Sequence, residues 1–183
     1  MRRILASLSV AGLALFAPAA SGEVHSADDR GFEVGANALI AAPPGAVWQA
    51  LTMPAQWWDS AHTWSGKAAN LSLAAVAGGC FCERMPHGGG VEHMRVVRSE
   101  PGRTLVMTGA LGPLQAEPVQ GVLTISIAAR DGGSTLTWSY AVSGLRSTKG
   151  AALAGPVDQV LTEQFARLAR YAAARNDGAR PPR

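Results

Sequence analysis

Charge is scarce in this sequence. Asp, Glu, Lys and Arg make up 16 % of its 183 residues, against 48 % hydrophobic residues. So little charge excludes a long solvated helix or a coiled coil, and so much apolar material excludes a disordered chain. Basic runs are missing as well. The formal net charge of +3 comes from the ends: Arg2 and Arg3 at the start, and Arg175, Arg180 and Arg183 with Asp177 at the finish. Between them stand 11 basic and 12 acidic residues. A nucleic-acid partner needs a basic face to offset phosphate repulsion, so nucleic acid is not an expected partner. The chain carries no P-loop, no G-x-S-x-G elbow, no H-E-x-x-H and no dinucleotide-binding G-x-G-x-x-G. Gly88-Gly89-Gly90 is a hairpin loop rather than a phosphate cradle, because no helix is expected after it. No cofactor and no metal are expected.

What is present begins with a leader. Arg2 and Arg3 precede 13 small or apolar residues, Ile4 to Phe16, and Ala17 to Gly22 are small or Pro. This is the pattern of a cleaved signal peptide over residues 1–22, and the stretch is shorter than the ~20 residues of a spanning helix. No cysteine follows it, which argues against a lipoprotein. The expected location is the periplasm or the exterior, with no stable membrane span after cleavage. Residues 23–31 read as a polar spacer, 32–174 as one domain and 175–183 as a disordered tail.

The 21 Gly and 11 Pro suit a turn-rich, strand-rich domain. Phe32–Ala41 reads as a strand. Pro43-Pro44 opens a short helix over Ala46–Thr52, and Pro54 starts a second short turn through Asp59. Period-two patterns then predict strands near Leu71–Val76, Cys80–Met85, Val91–Arg98, Thr104–Gly109, Val119–Ala129 and Ser134–Ser143. An Asp131-Gly132 turn pairs positions that sum to 263. It sets Ile127 against Leu136, Ile125 against Trp138 and Leu123 against Tyr140, so the two apolar faces coincide. Val157, Val160, Leu161, Phe165, Leu168 and Ala172 form one stripe of a closing helix, which Pro156 either starts or kinks. The fold class is therefore α+β: a curved antiparallel sheet of about seven strands around a long C-terminal helix, a helix-grip. One helix cannot fill such a sheet, so a cavity between them is the expected ligand site.

Ala42-Pro43-Pro44-Gly45-Ala46-Val47-Trp48-Gln49-Ala50-Leu51-Thr52, Gln56-Trp57-Trp58 and Gly78-Gly79-Cys80-Phe81 together resemble the START/SRPBCC superfamily. That superfamily includes polyketide cyclases and AHSA-type domains. The resemblance runs from about Phe32 to Ala174. It implies the helix-grip fold and one of three roles: binding of lipids or other hydrophobic ligands, cyclase or hydrolase chemistry, or assistance to a chaperone. The leader departs from the cytosolic chaperone-activator members.

Three groups of residues are candidates for function. Cys80 and Cys82 lie two apart on a strand and so share a face. They can be small buried hydrophobes, a disulfide, or two ligands of a metal site. If Met85 pairs with Val91, Glu83 opposes His93, and Phe81 opposes Arg95. Cys80, Cys82, Met94 and Val96 then face the cavity. Glu83, His93 and Arg95 face solvent as a salt-bridge cluster, or make an acid/base pair if the register differs. Four of the five Trp fall within 17 positions. Trp57 and Trp58 cannot both point inward, so one meets the pocket, and His62 lies in a loop at its mouth. The expected ligand-binding set is Trp58, His62, Cys80, Cys82, Met94, Leu123, Trp138, Tyr140 and Phe165. The expected ligand is a small, mostly apolar molecule. The alternatives are an enzyme using Glu83 and His93, or a thiol-based metal or redox binder.

Overall fold

The computed structural model describes residues 22–178. The leader, apart from Gly22, and the end of the tail lie outside the described residues. The chain forms β1 (Glu23–Ala27), β2 (Gly31–Ile40), α1 (Pro44–Leu51), β3 (Leu71–Leu73), β4 (Cys80–Arg84), β5 (Gly90–Glu100), β6 (Thr104–Gly109), β7 (Gln120–Arg130), β8 (Gly133–Ser143) and α2 (Gly150–Gly178). Short 3₁₀ turns at Pro54–Gln56, Ser60–His62 and Ala68–Asn70 link α1 to β3, and another at Gly112–Ala116 links β6 to β7. All eight strands pair antiparallel in one sheet, in the order β1-β2-β8-β7-β6-β5-β4-β3. Helix α2 lies against β1, β2 and α1. This is the helix-grip arrangement.

The β7–β8 hairpin has the register expected from its turn, with Ile127 opposite Leu136, Ile125 opposite Trp138 and Leu123 opposite Tyr140. Their inward side chains are buried and form the floor of the core. On α2, Phe165 stacks on Trp138 with centroids 5.0 Å apart, and Trp57 approaches it from the other side at 6.4 Å. Pro156 lies inside α2 rather than at its start, so the helix begins earlier, at Gly150.

Two boundaries differ from the sequence expectation. The spacer contains β1, which pairs with β2 through Val24 opposite Val34 and makes the eighth strand. Its side chains are all exposed, so a polar composition is what an edge strand tolerates and gives no periodic signal. The Asp28 carboxylate closes the β1–β2 turn by accepting from the Arg30 and Gly31 amides at 2.7 and 2.9 Å. At the other end α2 continues to Gly178. Its last turns are held by Arg175 over the Tyr171 ring and by Asn176 Nδ2 donating to the Ala41 carbonyl at 3.0 Å. Residues 175–178 are therefore helical and not part of a tail. Among the described residues, no helix is long and apolar enough to cross a membrane.

Candidate functional site

A cavity of about 510 Å³ opens between the sheet and α2. Helix α2 supplies one wall with Leu153, Pro156, Val157, Val160 and Leu161. Trp58, His62, Thr63 and Trp64 form the opposite rim. Leu71, Phe81 and His93 line the sheet side, and Leu111 to Leu114 form a cover. The volume falls within the range that encloses a small organic ligand.

Local chemistry explains how each wall is held. The Trp57 indole N–H donates to the Ala50 carbonyl at 2.9 Å, which fixes Trp57 in the core. Trp58 then turns the other way, onto the cavity, with its indole N–H on the His62 carbonyl at 2.9 Å. From α2, Arg167 Nε donates to the Trp57 carbonyl at 2.8 Å, and its Nη1 meets Asp59 Oδ2 at 3.2 Å. Gln164, fully buried, accepts from the Asp59 amide at 2.8 Å. These two polar residues of α2 lock the Trp57–Asp59 turn against it. The cover is held by Tyr140, whose hydroxyl accepts from the Leu111 amide at 3.2 Å and donates to the Gly109 carbonyl at 3.4 Å. Burial pushes the Tyr140 phenol up to about 12, so it stays protonated. Beside them a Cβ at Gly121 would stand 2.2 Å from the Gly109 carbonyl oxygen and 2.7 Å from the Tyr140 oxygen, so only glycine fits. At the mouth, Trp64 Nε1 donates to Gln115 Oε1 at 3.2 Å, joining the rim to the cover.

Glu83 and His93 face the cavity side and are both buried, at 2 % and 6 % exposure. This overturns the expected solvent-facing placement. The register differs by two, with Glu83 opposite Val91 and Arg84 opposite Gly90, a shift that by itself keeps every residue on its face. The facing changes because a bulge intervenes. Phe81 pairs with Met94 and Cys82 with Glu92, which leaves His93 as the extra residue on β5. His93 and Met94 then both point inward, while Arg95 points out. On β4 it is Phe81 that takes the inner face, carrying Glu83 with it and turning Cys80 and Cys82 outward. Alternation alone makes the cysteines the apolar pair of that strand. Burying the larger Phe81 removes more apolar surface from water.

Glu83 is buried with its partners. Its Oε1 accepts from the Ser65 amide at 2.5 Å, and its Oε2 accepts from the Trp64 amide at 3.1 Å and from His93 Nε2 at 3.0 Å. Burial acts to raise its carboxyl, but the Ser65 hydroxyl and amide, the Trp64 amide and His93 outweigh it and hold the group below the usual carboxylate range. Donors from Trp64 and Ser65 on its two oxygens favour the ionised form. Burial lowers His93 below its ordinary 6.5, against the opposing pull of Glu83. His93 is thus neutral at pH 7. A carboxylate can only accept, so Nε2 carries the proton and Nδ1 keeps a lone pair on a ring that borders the cavity.

Both groups bind fewer protons in the folded state than in the unfolded one, so stability rises with pH where they titrate. Their contribution is complete above 6.5, the ordinary His value. It falls first as pH drops through the lowered His93 pKa, and again below 4.5 as Glu83 protonates. The melting temperature should decline from pH 7 to pH 5, and His93→Gln should flatten that interval. A flat profile in the unmodified protein would exclude this protonation scheme.

The other expected residues fall elsewhere. Trp58 and His62 line the cavity. Leu123 and Phe165 border a second space of only about 20 Å³ beneath Trp57. Met94, Trp138 and Tyr140 are packed in the core and do not reach the cavity wall. Cys80 and Cys82 form a disulfide, with Cα atoms 5.5 Å apart, on the outer face. That places them away from the cavity and pairs them as the disulfide, one of the three expected readings. Arg95 is exposed, bound to Glu92 and to the Gly78 carbonyl. Sequence reasoning missed the cover. Its signal was Leu111-Gly112-Pro113-Leu114, an apolar loop with no strand or helix period.

Sheet, gripping helix and the apolar cavity between them define an SRPBCC-type helix-grip domain. The family model described as "Polyketide cyclase / dehydrase and lipid transport" matches residues 32–173, and the chain belongs to that family. A search of curated proteins finds no match. Among solved structures, protein MLL2253 from Mesorhizobium loti is similar over 79 % of this chain and 98 % of its own, with TM-score 0.58 and 22 % identity. CalU16 from Micromonospora echinospora aligns over 84 % of each chain, with TM-score 0.56 and 15 % identity. The di-domain ARO/CYC StfQ of the steffimycin biosynthetic pathway aligns over 82 % of this chain and 52 % of its own, with TM-score 0.55 and 14 % identity. At these identities the likeness speaks for the fold alone.

Proposed function

We propose that this protein binds a small, mostly apolar molecule carrying one hydrogen-bond donor, such as a hydroxyl, in the cavity between sheet and α2. One observation carries the reading. The cavity of about 510 Å³ is walled mainly by Trp, Phe, Leu, Val and Pro, and the His93 imidazole borders it with its Nε2 taken by Glu83. The apolar wall supplies most of the affinity, and His93 Nδ1 orients the ligand. The family's description, which covers cyclases, dehydrases and lipid transport, is consistent with such a ligand.

The test is a panel of aromatic and aliphatic alcohols, each paired with its deoxy analogue, read by Trp fluorescence and thermal melting. Trp58 is on the wall and should report occupancy. A ligand at 100 times its Kd should add about 2.7 kcal/mol of stability. The hydroxylated member of each pair should bind more tightly, and His93→Phe should abolish that preference. A panel that moves neither signal ends the binding reading.

A second reading rests on the same pair. A neutral imidazole whose far nitrogen is held by a buried carboxylate is arranged as a general base, with Glu83 fixing the tautomer and stabilising the imidazolium that forms. If a bound ligand carries an acidic O–H or C–H at Nδ1, proton abstraction follows. Loss of turnover in His93→Gln with ligand affinity retained would favour the enzyme over the binder.

The leader motivates placing this function in the periplasm or outside the cell. The mature chain is then expected to start between Ala20 and Glu23, which the mass of protein recovered from the periplasm checks. An intact Met1 in a membrane fraction would contradict it.

A further inference from the structure

The chain's two cysteines take no part in the cavity. Their disulfide lies on the outward face of β4, half-buried, with the strand's inward face given to Phe81 and Glu83. Three observations set it apart from a structural staple. It joins residues two apart in sequence, and the constraint that a cross-link places on the unfolded chain grows with the length of the loop it closes. Strand β4 is already paired on both sides, to β3 and to β5, so the bridge ties no two elements together. Finally, the sulfurs lie beside a half-exposed ion pair. Glu92 stands opposite Cys82 and Arg95 opposite Cys80. A carboxylate oxygen of Glu92 is within 4.8 Å of both sulfurs. Arg95 takes that carboxylate through Nε at 3.1 Å and through Nη2, and anchors Nη1 on the Gly78 carbonyl at 2.9 Å. The guanidinium therefore offsets the charge that would otherwise repel a thiolate here, and a cation beside a sulfur favours its thiolate form.

We infer that Cys80–Cys82 is a thiol–disulfide exchange site whose substrate is a dithiol. A thiolate of the dithiol attacks Cys82 Sγ. The Cys80–Cys82 bond breaks, and its electron pair leaves on Cys80 Sγ, opposite Arg95. The second thiol of the dithiol, as its thiolate, then attacks its own partner's sulfur in the mixed disulfide. That closes the substrate's disulfide and releases Cys82 Sγ. The two protons given up by the dithiol end on the two cysteines. The protein pair gains two electrons and the dithiol loses two. The rate depends on the leaving thiolate, so the two charges beside it should act in opposite directions.

The experiment uses the full chain purified without reductant. Folded protein is incubated with dithiothreitol at set ratios of its reduced and oxidised forms, quenched with iodoacetamide and weighed. Before reductant, neither cysteine should be labelled. With it, both should be labelled reversibly while the circular dichroism spectrum stays native. Arg95→Gln should slow reduction by about threefold, and Glu92→Gln should speed it by about as much, as for partly exposed charges. Four results would overturn the inference. The first is a bond that yields only after denaturant unfolds the chain. The second is a pair of thiols already free at the outset. The third is a rate that both charge variants shift the same way or not at all. The fourth is reduced protein that retains one Zn²⁺ per chain through Cys80, Cys82 and Glu92 and resists reoxidation, which makes it a metal site.

Discussion

Replacing Glu83 by alanine is expected to destabilise the protein by about 3–5 kcal/mol, because three donors lose their acceptor together. The carboxylate is 2 % exposed and accepts from Trp64, Ser65 and His93. Alanine strands two backbone N–H groups and an imidazole N–H at once, and each unpartnered buried donor costs about 1–3 kcal/mol. Glu83→Gln should cost less, about 2 kcal/mol. It keeps the volume and one acceptor oxygen but turns an NH₂ toward a donor that needs an acceptor. The loss also has a local address. The Trp64–Ser65 segment carries the cavity rim, so hydrogen exchange should rise there first. Chemical denaturation measures both variants. A cost below about 1 kcal/mol for alanine would match an exposed ion pair and would contradict the buried placement.

How much of this was legible beforehand depends on which hairpin is considered. The β7–β8 register followed from a two-residue turn and two clean alternations, because a one-residue slip would have put every apolar side chain on the wrong face. The helix-grip followed from the single stripe on α2 and the run of strands before it. The β4–β5 hairpin obeys the same rules but carries a bulge at His93. One extra residue reverses the facing on one strand only, and no periodicity announces it. There the local cue was ambiguous too, since Cys80, Phe81 and Cys82 are all apolar enough to face inward. Two things favour the observed face: burial of the larger Phe81, and hydrogen bonds to Glu83 from Trp64 and Ser65, 19 and 18 residues away. The same limit applies to Gln164. It interrupts the apolar stripe of α2 and is buried because Asp59, 105 residues away, needs its carbonyl. Long-range polar partners are what a single sequence conceals, and they hold much of this site together. The position of Trp58 and His62 on the cavity needed less: adjacent Trp residues must diverge, and the turn that follows them is short.

Val160→Trp should weaken binding of any ligand found by the hydroxyl panel by at least about tenfold, equivalent to ~1.4 kcal/mol. Stability should change by less than about 1 kcal/mol. Val160 is half-buried on the cavity side of α2, between Val157 and Leu161, which also line the wall. A larger side chain there grows into open cavity rather than into packed atoms, so little strain arises, while an indole takes space that the ligand needs. Leu168 provides the contrast on the same helix. It is 0 % exposed within the core, and Leu168→Trp should cost about 1–3 kcal/mol or more from overpacking. The pair therefore separates occupancy from folding: one variant should lose the ligand and keep the melting temperature, and the other should lose melting temperature first. If Val160→Trp leaves affinity untouched, the ligand sits elsewhere than between α2 and the sheet, and the cavity is not the binding site. If instead Val160→Trp unfolds the protein, the helix wall has no free volume beside it, contrary to the cavity of about 510 Å³.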